Sequence, residues 1–183
     1  AGYVHPDGGW LTVVDEQGHR AQSVEEATVI WQRGLEETVL PLRDAGIPVL
    51  LVASVAEMPS TATRRTILAQ AYGGASIGVP LSEVLAHRRP AFEVERAVAA
   101  RHPHAAVFDP LTTLCRPICA SAAGGTILYQ DKTHLSVDGA LLLVPGLRTS
   151  LEAVLRPDRA RPMPPTSRAP AASAANPVGS GTG

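Results

Sequence analysis

Apolar positions recur along this chain in two rhythms, and each rhythm predicts an element. Val24, Ala27, Trp31, Leu35, Val39 and Leu42 follow one another at spacings of three and four, which lines one face of a helix. Ser23-Val-Glu-Glu26 at its start is a capping box, in which the Ser23 hydroxyl and the Glu26 carboxylate satisfy early backbone donors. Pro41 is expected to kink or shorten the last turn, and Gly46 followed by Pro48 to end the helix. The segment from Pro48 to Ser54 is instead apolar on both alternations, as in a parallel strand covered on both faces. Helix followed by such a strand is α/β order. Glu57 then falls in the loop beyond the strand's carboxyl end, where open α/β sheets place their ligand crevice, although a solvated loop carboxylate is the plainer reading.

The remaining pattern is less regular. Trp10 to Asp15 predicts a short strand and Glu16 to His19 a turn. Residues 61–101 read as mostly helical, interrupted at Gly73-Gly74 and at Gly78-Val-Pro80. The second part has Ser82 as its cap and Leu81, Val84, Leu85, Phe92, Val94 and Val98 as candidate core. Ala105 to Phe108 predicts a strand that Asp109-Pro110 terminates, and Thr126 to Tyr129 an edge strand. A final helix is expected from Ser136, as N-cap, to about Leu155, broken around Pro145-Gly146, with Asp138 in a first turn that favours negative charge. From Arg156 the composition shifts to Pro, Ala, Ser and Gly, which cannot bury enough surface to offset ordering entropy. The expected organisation is one domain over 1–155 and a disordered tail over 156–183.

Composition narrows the function. The 183 residues are 45% hydrophobic, enough for one core, and carry a formal net charge of -1 without a basic stripe, which argues against nucleic acid as a partner. Of the 16 Lys and Arg residues only Lys132 is a lysine, a bias that accompanies GC-rich bacterial coding sequence. The apolar stretches Ile47 to Ala56 and Ala140 to Val144 fall short of the ~20 residues that span a bilayer. The chain opens on Ala1 with no signal-peptide pattern and reads as a fragment, so any membrane anchor is expected upstream.

The chemistry-bearing residues lie in the second half. Cys115 and Cys119, four positions apart, allow a disulfide, half of a metal site or two core thiols. Pro117 between them favours a reversal suited to the disulfide, and Cys-x3-Cys with His102 and His104 is not a standard zinc spacing. Asp131 precedes His134 by three residues, the spacing at which a carboxylate can hold an imidazole in one tautomer for a serine nucleophile. No Gly-Asp-Ser occurs in the chain. Ser76 sits among glycines but follows no predicted buried strand as an elbow serine should, and Ser54, at the end of a buried strand, is slightly better placed.

The run from Tyr129 to Ala140, with the cysteine pair and the Asp109-Pro110 element upstream, resembles the end of the SGNH domain fused to the C-terminus of acyltransferase-3 family membrane O-acyltransferases, which modify bacterial surface carbohydrates. The resemblance covers roughly residues 1–155 and is strongest from Phe108 to Ala140. It implies a three-layer αβα, flavodoxin-like parallel sheet, truncated at its N-terminus. It also implies a Cys115–Cys119 disulfide and an extracytoplasmic location. His134 is the implied general base and acid, Asp131 its orienter, and the serine lies upstream; the oxyanion hole has no assignable residues here. Implied partners are an acyl donor, a glycan acceptor and the membrane-embedded domain of the same parent, with no cofactor or metal. A free carbohydrate esterase and an inactive glycan-binding or bracing domain are the competing readings.

Overall fold

The computed structural model describes residues 13–59 and 77–156. Helix α1, Val24–Asp44, starts as its cap predicts: the Ser23 hydroxyl accepts from the Glu26 N–H at 3.1 Å. The Glu26 carboxylate reaches one residue further back than the reciprocal box, accepting from the Gln22 N–H at 2.6 Å. Pro41 is accommodated inside the helix. Gly46 at φ 68° then closes it, with the Gly46 N–H on the Arg43 carbonyl and the Ile47 N–H on the Leu42 carbonyl, both at 2.8 Å. Ahead of α1 the expected turn forms, with Gly18 at positive φ, but of the predicted strand residues 13–15 give only an isolated bridge between Val14 and Arg20, and residues 10–12 lie outside the described residues.

Strand β1, Val49–Val52, pairs in parallel with Ala105–Phe108, which is β3 in chain order after β2 (Gly78–Pro80). The pairing runs from Val49 opposite Ala105 to Val52 opposite Phe108, so Val49 and Leu51 point to one face and Leu50 to the other. On the first face Val49 and Leu51 pack with Trp31, Leu35 and Val39 of α1 and with Val94 and Val98 of helix α2, Leu81–Ala100. On the second, Leu50 and Phe108 join Ala56, Met58, Leu143 and Leu147. The chain is therefore α/β, with helices on both faces of a small parallel pair, as the two-sided apolar run predicts. Val52 departs from that pattern and is exposed at the strand's carboxyl end.

Two readings of α2 need correction. Ser82 is not its cap: β2 pairs antiparallel with β4, Ile118–Ala120, and the Leu81 N–H donates to the Pro117 carbonyl, so the helix begins directly from Pro80. What looked like a helix interruption at Gly78-Val-Pro80 is that strand. Leu85 is exposed, and Arg88 takes an inward position instead.

Beyond β3, helix α3 (Leu111–Leu114) leads into the cysteine pair, which is disulfide-bonded with Cα atoms 4.2 Å apart; both cysteines are buried in the second core cluster. Strands β5, Ala122–Ala123, and β6, Thr126–Ile127, form a hairpin on Gly124-Gly125, both at positive φ as a two-residue turn of this kind demands. The predicted edge strand is thus the second half of a hairpin whose first half carried too little apolar pattern to be seen. The final helix is broken into α4, Val137–Leu141, and α5, Val144–Leu155. The break falls just before the expected place, because Pro145 sits in the first turn of α5, where its missing N–H costs nothing. Residues 60–76 and 157–183, including Ser76 and nearly all of the predicted tail, lie outside the described residues. No helix among the described residues is long and apolar enough to cross a membrane.

Candidate active site

The turn carrying Asp131 and His134 is built from its base upward. Tyr129, which is buried, bridges Leu135 in antiparallel fashion, and the Gln130 N–H donates to the His134 carbonyl at 2.9 Å. Ser136 anchors the far side. Its N–H reaches the Leu128 carbonyl at 2.9 Å, its hydroxyl donates to the Ile127 carbonyl at 2.5 Å, and the same oxygen accepts from the Gly139 N–H at 2.9 Å as the cap of α4. Ser136 is thereby a structural serine rather than a nucleophile. Gly139 is required by this arrangement, since a Cβ there would lie well inside contact distance of the Leu128 carbonyl oxygen.

Within the turn, Asp131 Oδ1 accepts from the backbone N–H groups of Thr133 and His134, each at 2.8 Å. Both carboxylate oxygens also meet His134 Nδ1, Oδ2 at 2.8 Å and Oδ1 at 3.0 Å. The Thr133 hydroxyl lies 3.3 Å from the same ring nitrogen. Hydrogen bonds from the Thr133 and His134 amides, then from the His134 ring, hold the Asp131 carboxyl down at about 2. An ionised carboxylate against Nδ1 keeps the proton on that nitrogen, which leaves Nε2 with the lone pair that accepts a proton. Asp131 and His134 are both exposed.

The loop after β1 docks on this turn. The Met58 N–H donates to the Lys132 carbonyl at 2.7 Å, and Glu57 and Lys132 form an ion pair. Glu57 is thus not the freely solvated carboxylate its loop position suggested. Ala56 and Met58, on either side of it, are fully buried. The start of the same loop is held by Arg88, which donates to both carboxylate oxygens of Asp109 from its two terminal guanidinium nitrogens, Nη1 and Nη2, and from Nη1 to the Ser54 carbonyl at 3.3 Å. Sequence reasoning missed Arg88 and Lys132 as contributors here. The solitary lysine inside the motif was a usable signal for Lys132; Arg88, on a helix 21 residues before Asp109, gave none.

The structure therefore brings Asp131 and His134 together and joins Cys115 to Cys119, while Ser76 lies outside the described residues and Ser54 lies at the start of the β1 loop. Among the described residues no group of three His, Cys, Asp or Glu side chains is arranged to hold a metal ion. In comparison with known families, the model described as SGNH domain (fused to AT3 domains) matches residues 4–149. No curated protein and no solved structure matches the chain.

Proposed function

The chain belongs to the family of SGNH domains fused to AT3 domains, and from that premise we propose that it is the C-terminal part of an extracytoplasmic SGNH-type domain in an O-acyltransferase that moves an acetyl or similar acyl group onto a cell-surface or secreted glycan. The observation that carries this reading is the Asp131 carboxylate, fixed by two backbone amides and closed on His134 Nδ1 at 2.8 and 3.0 Å. In the proposed mechanism a serine upstream in the parent attacks the acyl carbonyl as its proton passes to His134 Nε2. Asp131 stabilises the imidazolium that results. His134 returns that proton to the donor's leaving group, then takes the proton of a glycan hydroxyl as that oxygen attacks the acyl-serine, and finally gives it back to the serine. The membrane-embedded domain of the same parent delivers the acyl group, and its helices tether this domain at the outer face of the membrane.

The test is made in the full-length parent, with acyl transfer to glycan as the readout. His134→Ala abolishes transfer. Asp131→Asn, which can still hydrogen-bond but lacks the charge, lowers the rate by about 10⁴, the cost of the equivalent change in the serine protease that defines the triad. Because the Asp131 carboxyl is depressed to about 2, its contribution is present above the unfolded value of 3.8 and lost only as pH falls through about 2. Any acid-side loss of activity centred above about pH 4 therefore belongs to another group. Near-normal transfer by Asp131→Asn would refute the triad assignment.

A further inference from the structure

We propose that Glu57 and Lys132 are a positioning pair that registers the Asp131–His134 turn against the carboxyl end of β1; this rests on the catalytic reading of Asp131 and His134. The contacts of Asp131 with Thr133 and His134, and of Gln130 with His134, all lie within the turn. They fix its internal shape. They do not tie the tip of the turn, whose base Tyr129 and Ser136 anchor, to the loop after β1, and all four residues from Asp131 to His134 are exposed.

Lys132 supplies that second constraint, because it lies between the two functional residues and is held twice by the loop after β1. Its carbonyl accepts from the Met58 N–H at 2.7 Å and its ammonium pairs with Glu57. The loop end that holds it is rooted, since Ala56 and Met58 are both at 0% exposure in the core. Magnitudes decide between a stability role and a positional one. The pair is partly solvated, with side chains 47% and 31% exposed, and pairs of that kind contribute little to folding. A displacement of about 1 Å in a catalytic group, by contrast, can cost about 10²-fold in rate. The chemistry is therefore more sensitive to this contact than the fold is.

The experiment measures p-nitrophenyl acetate turnover by the full-length parent, with the His134→Ala variant as background. Glu57→Gln and Lys132→Met each lower kcat by about tenfold with KM and melting temperature unchanged, and the double variant is no worse than either single one. The charge-reversed double variant, Glu57→Lys with Lys132→Glu, recovers most of the lost kcat, as required if the two residues act through their mutual contact, and the unchanged melting temperature separates this from a merely structural loop contact. Full kcat in both single variants, beside a His134→Ala variant that is dead, overturns the pair while leaving the triad reading intact. Losses of kcat and melting temperature together, with no recovery on charge reversal, also overturn it. A His134→Ala variant as active as the parent removes the triad reading itself, and the pair's role with it.

Discussion

Asp109 and Asp131 each grip a nitrogen-bearing side chain with both carboxylate oxygens, yet their surroundings differ. Asp109 meets Arg88, whose side chain is 1% exposed, across 21 residues of sequence and at the carboxyl ends of both parallel strands. Asp131 meets His134 three residues away on a turn where the two side chains are 51% and 75% exposed. A guanidinium taken out of water is costly unless it is paired, and with Arg88 Nε left without a hydrogen bond among the described residues the two contacts to Asp109 carry that compensation, so they are bound up with the fold. The second contact is made by a surface turn that backbone amides already shape. Its removal leaves no buried charge behind.

That contrast is broken or kept most sharply by removing one partner of each pair. Arg88→Ala strands the Asp109 carboxylate and also removes the guanidinium stacked 4.3 Å over the Phe92 ring, and is expected to destabilise the domain by about 3–5 kcal/mol in urea titrations. Replacing both members, as Arg88→Met with Asp109→Leu, restores most of that loss, because the Asp109 carboxylate is no longer left without its partner. Asp131→Asn, on an exposed turn that keeps its backbone contacts, leaves the same urea midpoint nearly unchanged. If Arg88→Ala were as mild as Asp131→Asn, the buried pair would not be the anchor of the strand ends.

The two pairs also differ in how far the sequence discloses them. Asp131 and His134 are legible because their partnership is local: the spacing, the Ser136 cap and Asp138 in the first turn of α4 all lie within eight residues. The α1 helix and the two-faced β1 strand are legible for a similar reason, since periodicity records which faces are covered. Arg88 is not, because an arginine on a helix with Arg89 beside it reads as solvated surface until the 81–100 helix is laid across β3. The same limit hid β2, whose pairing with β4 depends on a contact about forty residues away rather than on its own Gly-Val-Pro composition. The Ser82 cap failed because that pairing sets the start of α2.

A smaller effect tests whether the exposed turn is as independent of the core as its solvation suggests. Gly139 is buried against the Leu128 carbonyl, so Gly139→Ala pushes α4 off the strand that carries the turn. The expected cost is about 1–3 kcal/mol, as for an overpacked core site, measured by the urea midpoint. Turnover in the parent falls with it, since Ser136 and His134 move with the helix start. Unchanged stability would mean that the turn and α4 shift freely against β6, and the turn would then lack the rigid base described here.

The smallest effect concerns Glu95, a buried carboxyl on α2 near the Arg88–Asp109 pair. Burial raises its pKa above 4.5, and Asp109 adds to the rise while Arg88 opposes it. A folded value above the unfolded one means that the folded state holds the proton more tightly. Stability relative to the protonated form is therefore full below pH 4.5 and declines as pH rises through the folded value. Glu95→Gln, which keeps the shape without the charge, is expected to stabilise the domain at pH 7 and to have no effect near pH 4, read from urea midpoints at the two values. Destabilisation at pH 7 would instead show that the Glu95 charge is needed by Arg88. The buried pair would then be a buried triad of two carboxylates and one guanidinium, and its contrast with the exposed Asp131–His134 contact would widen.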